Sequence, residues 1–264
     1  MKIGFIGCGN MATAMLKGIL KSGEVKNGDM IASAKSDKTR EKIEKELGIQ
    51  KADTNAQVVD FADVVFLAVK PQFLEEVLDE IKDNVKEGQI FISIAPGKTL
   101  QWLGEHLGEG TKIIRTMPNT PAMVGEGMTA LCVNEQVTEK ETLLAVTLCN
   151  TFGKTEVIPE RLMDAVVGVS GSSPAYVFMF LEAMADAAVV DGMPRAQAYK
   201  FAAQAVLGSA KLMLETGKHP GELKDMVCSP AGTTIQAVRV LEEKGLRSAV
   251  IEAQLECVKK AKGM

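Results

Sequence analysis

Along the first 160 residues, short runs of apolar residues alternate with stretches in which apolar positions recur every three or four residues. KIGFI precedes a helical pattern from about Asn10 to Ser22, and MIASA precedes one from about Lys38 to Leu47. VVFLAV leads to a helix from about Gln72 to Asp83, QIFISI to one beginning at Leu100, and KIIRT follows. These runs are rich in β-branched residues and apolar throughout, the pattern of strands covered on both faces. Strand–helix alternation of this kind predicts an α/β doubly wound, mostly parallel sheet, with MTALCV, a helix and KTEVIP completing its edge.

The pattern changes after Pro159. Residues 161–264 read as long helices rich in Ala and Met, with no strand pattern. Gly192 followed by Pro194 marks one helix boundary, and Gly217 before His219-Pro220 marks another. We therefore expect two domains, 1–160 and 161–264, the second all-α. PAYVFMFLEAMADAAVVDG is apolar nearly all round but carries Glu182 and Asp186, which suits an interface helix better than a membrane span. A helical domain of about 100 residues cannot cover such a helix alone. The expectation is a homodimer through the C-terminal helices.

Composition narrows the function classes. The chain has 264 residues, 46% hydrophobic and 24% charged, with net charge −4 and no Lys/Arg block, which argues against nucleic acid as a partner. Five scattered cysteines without a CxxC pair, and only two histidines, argue for a reducing compartment and against a metal site. The apolar run in MKIGFIGCGN is short and broken by glycine, unlike a signal peptide. These features together predict a cytoplasmic protein with no membrane or metal partner.

Candidate chemistry begins at Gly7-Cys8-Gly9-Asn10-Met11-Ala12, a GxGxxA sequence directly after a strand and opening a helix. The first glycine allows the tight turn, the second lets backbone approach a pyrophosphate, and Ala12 permits close helix–strand packing. This is a dinucleotide-binding Rossmann pattern. The second strand ends Ala32-Ser33-Ala34-Lys35-Ser36, with Lys38 and Arg40 close behind, where NAD-preferring chains usually place Asp or Glu. Ser33 and Lys35 thus favour NADPH, with NADH still usable; Asp37 is the one contrary charge. Three further strand ends, Ala68-Val69-Lys70-Pro71, Ala95-Pro96-Gly97-Lys98 and Thr116 to Pro121, would wall the nicotinamide ring. In the second half, DMVCSPAGTT (Asp225–Thr234) places a proline, a glycine and four hydroxyl or thiol residues at a helix start, which reads either as capping or as an anion grip.

LAVKPQ, RTMPNTP, VSGSSPAYVFMFLEAMADAAVVDGMPR and DMVCSPAGTTIQAV together resemble the pyrroline-5-carboxylate reductase family over essentially the whole chain. The resemblance implies a Rossmann domain followed by a helical dimerisation domain, and dimers that build larger rings such as a decamer. It implies reduction of the cyclic imine carboxylate 1-pyrroline-5-carboxylate to L-proline, with hydride passing from nicotinamide C4 to the imine carbon. By motif, Gly7, Gly9 and Asn10 would cradle pyrophosphate beside Met11, and Asn55 would lie near the adenosine ribose. Ala68, Lys70 and Ala95 would line the nicotinamide side, with Val69, Pro71 and Gly97 in the same loops. Val227, Ser229, Gly232 and Thr233 would hold the substrate carboxylate, and Thr234 would face the ring nitrogen.

Three positions depart from the family's usual pattern. Ser173 and Ala231 stand where a glycine is common, and Pro96 stands where an alanine is common. Each swap would tighten a loop if its backbone needed positive φ. The helical half offers no strong acid: His219 reads as a cap, Tyr176 as core and Lys211 as solvated. An imine suits that inventory, because water can deliver its proton and Thr234 can orient the nitrogen as donor or acceptor. Ser172 and Ser173 before Pro174 read as a helix N-cap. A reductase of another small imine, a β-hydroxyacid dehydrogenase and a dinucleotide-binding regulator without turnover remain the alternative functions, and imine ring size stays open.

Overall fold

In the computed structural model, which describes residues 1–263, the apolar runs of the first half lie in one eight-stranded sheet. Its strands are β1 (Ile3–Ile6), β2 (Met30–Ser33), β3 (Gln50–Ala52), β4 (Val64–Leu67), β5 (Ile90–Ser93), β6 (Lys112–Met117), β7 (Gly127–Val133) and β8 (Gly153–Val157). Their spatial order is β3-β2-β1-β4-β5-β6-β7-β8. Neighbours are parallel from β3 to β6, β7 runs antiparallel to β6, and β8 is parallel to β7. The chain moves outward through β2 and β3, then crosses to the other side of β1 at β4. That reversal opens a crevice at the carboxyl ends of β1 and β4, where such sheets bind ligands.

Helices α1 (Asn10–Ser22), α2 (Asp37–Lys45), α3 (Asn55–Phe61), α4 (Leu74–Ile81), α5 (Leu100–Leu107) and α6 (Glu139–Asn150) connect the strands. They explain why β1, β2, β4 and β5 are buried at every residue. On one face Phe5 and Phe66 stack at 4.4 Å beneath Met15, Leu16 and Phe152. On the other face Val58, Leu74, Leu78 and Leu103 pack over Leu67 and Phe91.

Two elements are too short for hydrophobic periodicity to announce them. β3 is only three residues at the sheet edge, with Gln50 and Lys51 exposed, so no apolar run marks it. α3 is seven residues long and is held by its cap, the Thr54 side chain accepting from the Gln57 N–H.

The expected N-cap at Ser172-Ser173-Pro174 is corrected by the structure. Helix α7 (Met163–Val166) passes into a π-helical stretch, Val167–Ser172, and α8 (Ser173–Val190) follows with no intervening loop. In an α-helix the residue at 174 would donate to the Ser170 carbonyl, and proline has no N–H to give. That carbonyl instead accepts from Asn119 Nδ2 at 3.0 Å, while Asn119 Oδ1 accepts from the Met128 N–H at 2.8 Å. Buried Asn119 thus ties the β6–β7 loop to the π-helical stretch.

The chain folds as two compact units: residues 1–172 with the segment from Cys257 onward, and Ser173–Glu256. Within the first, Arg115 on β6 is almost wholly buried and donates from Nη1 to Glu160 Oε1 at 2.9 Å. The same oxygen accepts the Leu100 N–H at 2.8 Å, so one carboxylate joins a buried cation to the start of α5. Cys132 lies opposite Arg115 in the β6–β7 ladder.

The second unit is helical: α8, α9 (Arg195–Thr216), α10 (Pro220–Val227), α11 (Thr233–Glu243) and the first part of α12 (Leu246–Lys262). Boundaries fall at Gly192-Pro194 and at Gly217-Pro220, as expected. Of α8 only Ala185 is buried, while Phe178 and Met179 stand 61% and 68% exposed. By length and composition alone, Glu160–Val190 would pass for a membrane span. Glu182 and Asp186 form no carboxylate pair: Asp186 is ion-paired to Arg195, whose guanidinium lies over the Tyr199 ring.

Candidate functional site

Gly7 and Gly9 answer different demands. Gly7 sits at φ +94°, and a Cβ there would lie 2.8 Å from the Ala68 carbonyl oxygen, because the turn leaving β1 crosses over the end of β4. Gly9 has φ −74°, open to any residue, and a Cβ there would meet no protein atom within 4 Å. That open side leads to the first turn of α1, which has no side-chain cap and no acidic residue. The N–H groups of Asn10, Met11 and Ala12 therefore have no acceptor within the helix. Backbone donors, a positive helix end and space that a side chain would fill fit a pyrophosphate.

The strand ends converge as the sheet register requires. Ile6 pairs with Ser33 on one side and Leu67 on the other, and Leu67 with Ser93. Gly7 N–H donates to the Ser33 carbonyl at 3.2 Å and Ala68 N–H to the Ile6 carbonyl at 2.8 Å. Ala68 and Val69 are half-buried, Lys70 is exposed, and Pro71 opens a short 3-10 turn to Phe73. Buried Ala95 donates to Ser93 Oγ at 3.3 Å, and Gly97 follows Pro96 with φ +75°, the arrangement of a Pro-Gly turn.

At the end of β2, the Ser33 hydroxyl donates to Asn55 Oδ1 at 2.6 Å. Asn55 in turn donates from Nδ2 to Glu80 Oε2 at 2.6 Å and from its backbone N–H to Glu80 Oε1 at 3.3 Å. Sequence reasoning missed Glu80: it lies on α4, 25 residues from Asn55, and no local pattern points to it. Lys35 stacks over Phe73 at 5.3 Å, and Arg40 is ion-paired to Asp37. Three cations, Lys38, Lys42 and Lys45, line a depression of about 390 Å³ with Cys8, Gly9, Asn10, Thr39, Glu41 and Glu46. Lys45 is paired with Glu41 at 3.1 Å, which leaves Lys38 and Lys42 as the cations for a ligand beside the glycine turn. Their i, i+4 spacing on α2 was the available signal for Lys42. A larger depression, about 930 Å³, lies at the opposite end of β6 beside Thr111 and Asn134, away from these residues.

The thiol in the glycine turn is not activated. Burial pushes the Cys8 thiol up despite a contact to Thr13 and the charge of Lys42. Burial likewise raises Cys149 to about 12, and raises Cys132 to about 12 with help from Glu160 and against Arg115.

In the helical unit, Val227 ends α10 and Cys228 leads into the turn Ser229-Pro230-Ala231-Gly232, closed by Gly232 N–H to the Ser229 carbonyl at 3.0 Å. A Cβ at Gly232 would run into Ser229 Oγ, so glycine there makes room for the hydroxyl. Gly232 starts α11 with no side-chain cap and no acid in the first turn. Thr233 and Thr234 are its first two residues. The hydroxyls that could have capped this helix leave its N–H groups uncapped, so capping alone does not account for them.

Of the three departures, only Ala231 adopts positive φ, at +57°, and it is the one non-glycine residue to do so among those described. Left-handed backbone costs alanine roughly 1–2 kcal/mol. A glycine's extra freedom in the unfolded chain offsets about 0.5–1 kcal/mol of that. Ala231→Gly is therefore expected to raise the thermal midpoint by about 1–4 °C, measured by calorimetry; a lower midpoint would contradict the strain.

His219 caps α10, its Nδ1 accepting the Gly221 N–H at 3.1 Å, and Lys211 pairs with Glu215 at 3.6 Å on the surface of α9. His219 is thus a cap and Lys211 a solvated surface residue, as expected.

Comparisons with known proteins extend over the whole chain. Residues 160–264 match a family described as pyrroline-5-carboxylate reductase dimerisation, and residues 2–97 match NADP oxidoreductase, coenzyme F420-dependent. Pyrroline-5-carboxylate reductase of Escherichia coli is 55% identical over 260 residues, covering 98% of this chain and 97% of that protein. A solved pyrroline-5-carboxylate reductase from Coxiella burnetii superposes with a TM-score of 0.93 at 35% identity, covering 99% of this chain and 97% of the other. A Plasmodium falciparum pyrroline carboxylate reductase solved with NADP bound gives 0.89 at 29% identity, covering 100% and 97%.

Proposed function

The chain belongs to the pyrroline-5-carboxylate reductase family, and we propose that it reduces the cyclic imine 1-pyrroline-5-carboxylate to L-proline, using NADPH in preference to NADH. The observation that carries this reading is the start of α11, whose N-cap is a glycine packed against Ser229 Oγ and whose first two residues are Thr233 and Thr234. A carboxylate is the natural guest of such a helix end. Val227 and the Gly232 turn shape its edge, and Thr234 orients the ring nitrogen.

The Rossmann half binds the dinucleotide. Asn10, Met11 and Ala12 offer backbone N–H groups to the pyrophosphate across Gly9, while Ser33 and Asn55 address the adenosine ribose. Ala68, Val69, Lys70, Pro71, Ala95 and Gly97 shape the nicotinamide side at the strand ends. The reduced nicotinamide, when bound, supplies the hydride. Lys38 and Lys42, more than Lys35, favour a 2′-phosphate, because they share the depression with Gly9. Protein residues need only hold the imine in line: fixing its carboxylate supplies proximity, and its nitrogen is basic enough for water to deliver the proton.

The matched dimerisation family makes the protein a homo-oligomer. We place the dimer contact on the exposed apolar residues of α8 and α9, with dimers assembling into a ring such as a decamer. The charges Glu182 and Asp186 suit that role better than a membrane. A cytoplasmic location goes with this reading, as does a dimerisation half that begins at residue 160 by family match, ahead of the division of the compact units after Ser172.

Thr234→Ala is expected to lower kcat on pyrroline-5-carboxylate about 10- to 100-fold, the loss of one oriented hydrogen bond in the transition state. The KM for NADPH should not move. Loss of absorbance at the reduced nicotinamide band measures both, and full activity in the variant would remove Thr234 from the site. We also propose that the loop serves the cofactor of a partner subunit. Mixing Thr234→Ala with Gly9→Val subunits should then restore activity to some sites; no recovery would refute the sharing.

A further inference from the structure

The Ser33–Asn55–Glu80 chain has a direction. Glu80 is a carboxylate and can only accept hydrogen bonds, so the Asn55 side chain must turn its Nδ2 toward it, as the 2.6 Å contact shows. Oδ1 of Asn55 then faces Ser33 and compels the serine to donate its only proton, at 2.6 Å. What remains on Ser33 Oγ for a ligand is an unshared pair, an acceptor. The carboxyl end of β2, where buried Ser33 sits, is the place at which this fold meets the 2′ position of the adenosine ribose. A 2′-hydroxyl can donate to that lone pair. A 2′-phosphate dianion has no proton to offer and is left facing it.

We propose that Glu80 is the positioning residue that sets the cofactor ratio, by polarising Asn55 and Ser33 so that Ser33 reads a 2′-hydroxyl and keeps NADH competitive. The proposal rests on the dinucleotide reading of the Gly7–Ala12 turn. Two opposed devices then act on the same cofactor: Lys38 and Lys42, in the depression beside Gly9, attract a phosphate, and the chain ending at Glu80 favours its absence. Glutamine at position 80 reverses the chain. Its Oε1 accepts the Asn55 backbone N–H, its Nε2 donates to Asn55 Oδ1, Asn55 Nδ2 donates to Ser33 Oγ, and the serine proton is released to point at a phosphate. Alanine removes the same charge but polarises nothing, so it separates electrostatic relief from hydrogen-bond direction.

Calorimetric titration of the full-length protein with NAD+ and with NADP+, which differ only in the 2′-phosphate, tests this in wild type, Glu80→Gln and Glu80→Ala. The ratio Kd(NAD+)/Kd(NADP+) is expected to rise on the order of tenfold in Glu80→Gln, one hydrogen bond gained and one repulsion lost. In Glu80→Ala the rise should be smaller, because charge relief at an exposed carboxylate is screened. A rise of about threefold or more in Glu80→Gln that exceeds the one in Glu80→Ala supports the proposal. A smaller rise, or an equal one in both variants, overturns it while leaving the cofactor site intact. A wild-type protein that binds neither dinucleotide would instead bring down the cofactor reading itself, and this proposal with it.

Discussion

Gly9→Val is expected to yield a fully folded protein that has all but lost its cofactor. A side chain at Gly9 would meet no protein atom within 4 Å, and φ −74° with ψ −171° suits any residue. The cost to folding is a helix-start preference of under about 1 kcal/mol, at most about 4 °C in thermal midpoint. The cost to binding is much larger. The valine methyl groups fill the approach to the first turn of α1 and keep a pyrophosphate from its backbone donors. Two lost charge-assisted hydrogen bonds are worth about 3 kcal/mol or more, a rise of about a hundredfold or more in cofactor KM and Kd. Gly7→Val makes the opposite control. At φ +94° and 2.8 Å from the Ala68 carbonyl, it should destabilise the packing of the β1 and β4 ends in the middle of the sheet. Unchanged NADPH affinity in Gly9→Val, measured by titration, would place the pyrophosphate elsewhere.

The largest stability effect is expected at Arg115. Its guanidinium is 7% exposed and meets Glu160, 32% exposed, at 2.9 Å. Arg115→Met strands the carboxylate among Cys132, the start of α5 and the underside of the sheet. Breaking a fully buried pair costs about 3–5 kcal/mol. Partial exposure of Glu160 lowers the expectation to about 2–4 kcal/mol, or a fall of roughly 4–16 °C in thermal midpoint. Arg115→Met with Glu160→Gln should recover at least half of that, because glutamine keeps an acceptor for the Leu100 N–H and leaves no charge behind. Equal midpoints for the single and double variants, by calorimetry, would show that the arginine acts through packing and not through its charge.

The parts of this molecule legible in the sequence share one property: their cause is local. Helix α1 occupies Asn10–Ser22 because a glycine turn opens it and a glycine follows it, both visible in the primary structure. Strands β1, β4 and β5 announce themselves as unbroken apolar runs, and Gly192-Pro194 and His219-Pro220 mark helix ends by their own backbone chemistry. The Ser229–Thr234 hydroxyls were visible as residue types at a helix start. Their uncapped state was not, since it depends on the turn that Gly232 permits and on the left-handed Ala231.

The pairings between distant segments have no local cause. Arg115 and Glu160 are 45 residues apart, Ser33 and Asn55 are 22, and Asn119 and Ser170 are 51. Hydrophobic periodicity carries no information about which polar group a buried donor will meet, because that depends on how the elements stack. The π-helical stretch before Pro174 shows the same limit: the residue types suggested a cap, and a side chain from another loop made a continuous helix tolerable instead. The doubly wound sheet, the glycine turn and the hydroxyl-lined loop follow from turn chemistry and burial pattern acting within a few residues. The polarity of the Ser33–Asn55–Glu80 chain and the gathering of Lys38 and Lys42 beside Gly9 arise only when strands and helices far apart in the chain are brought into register.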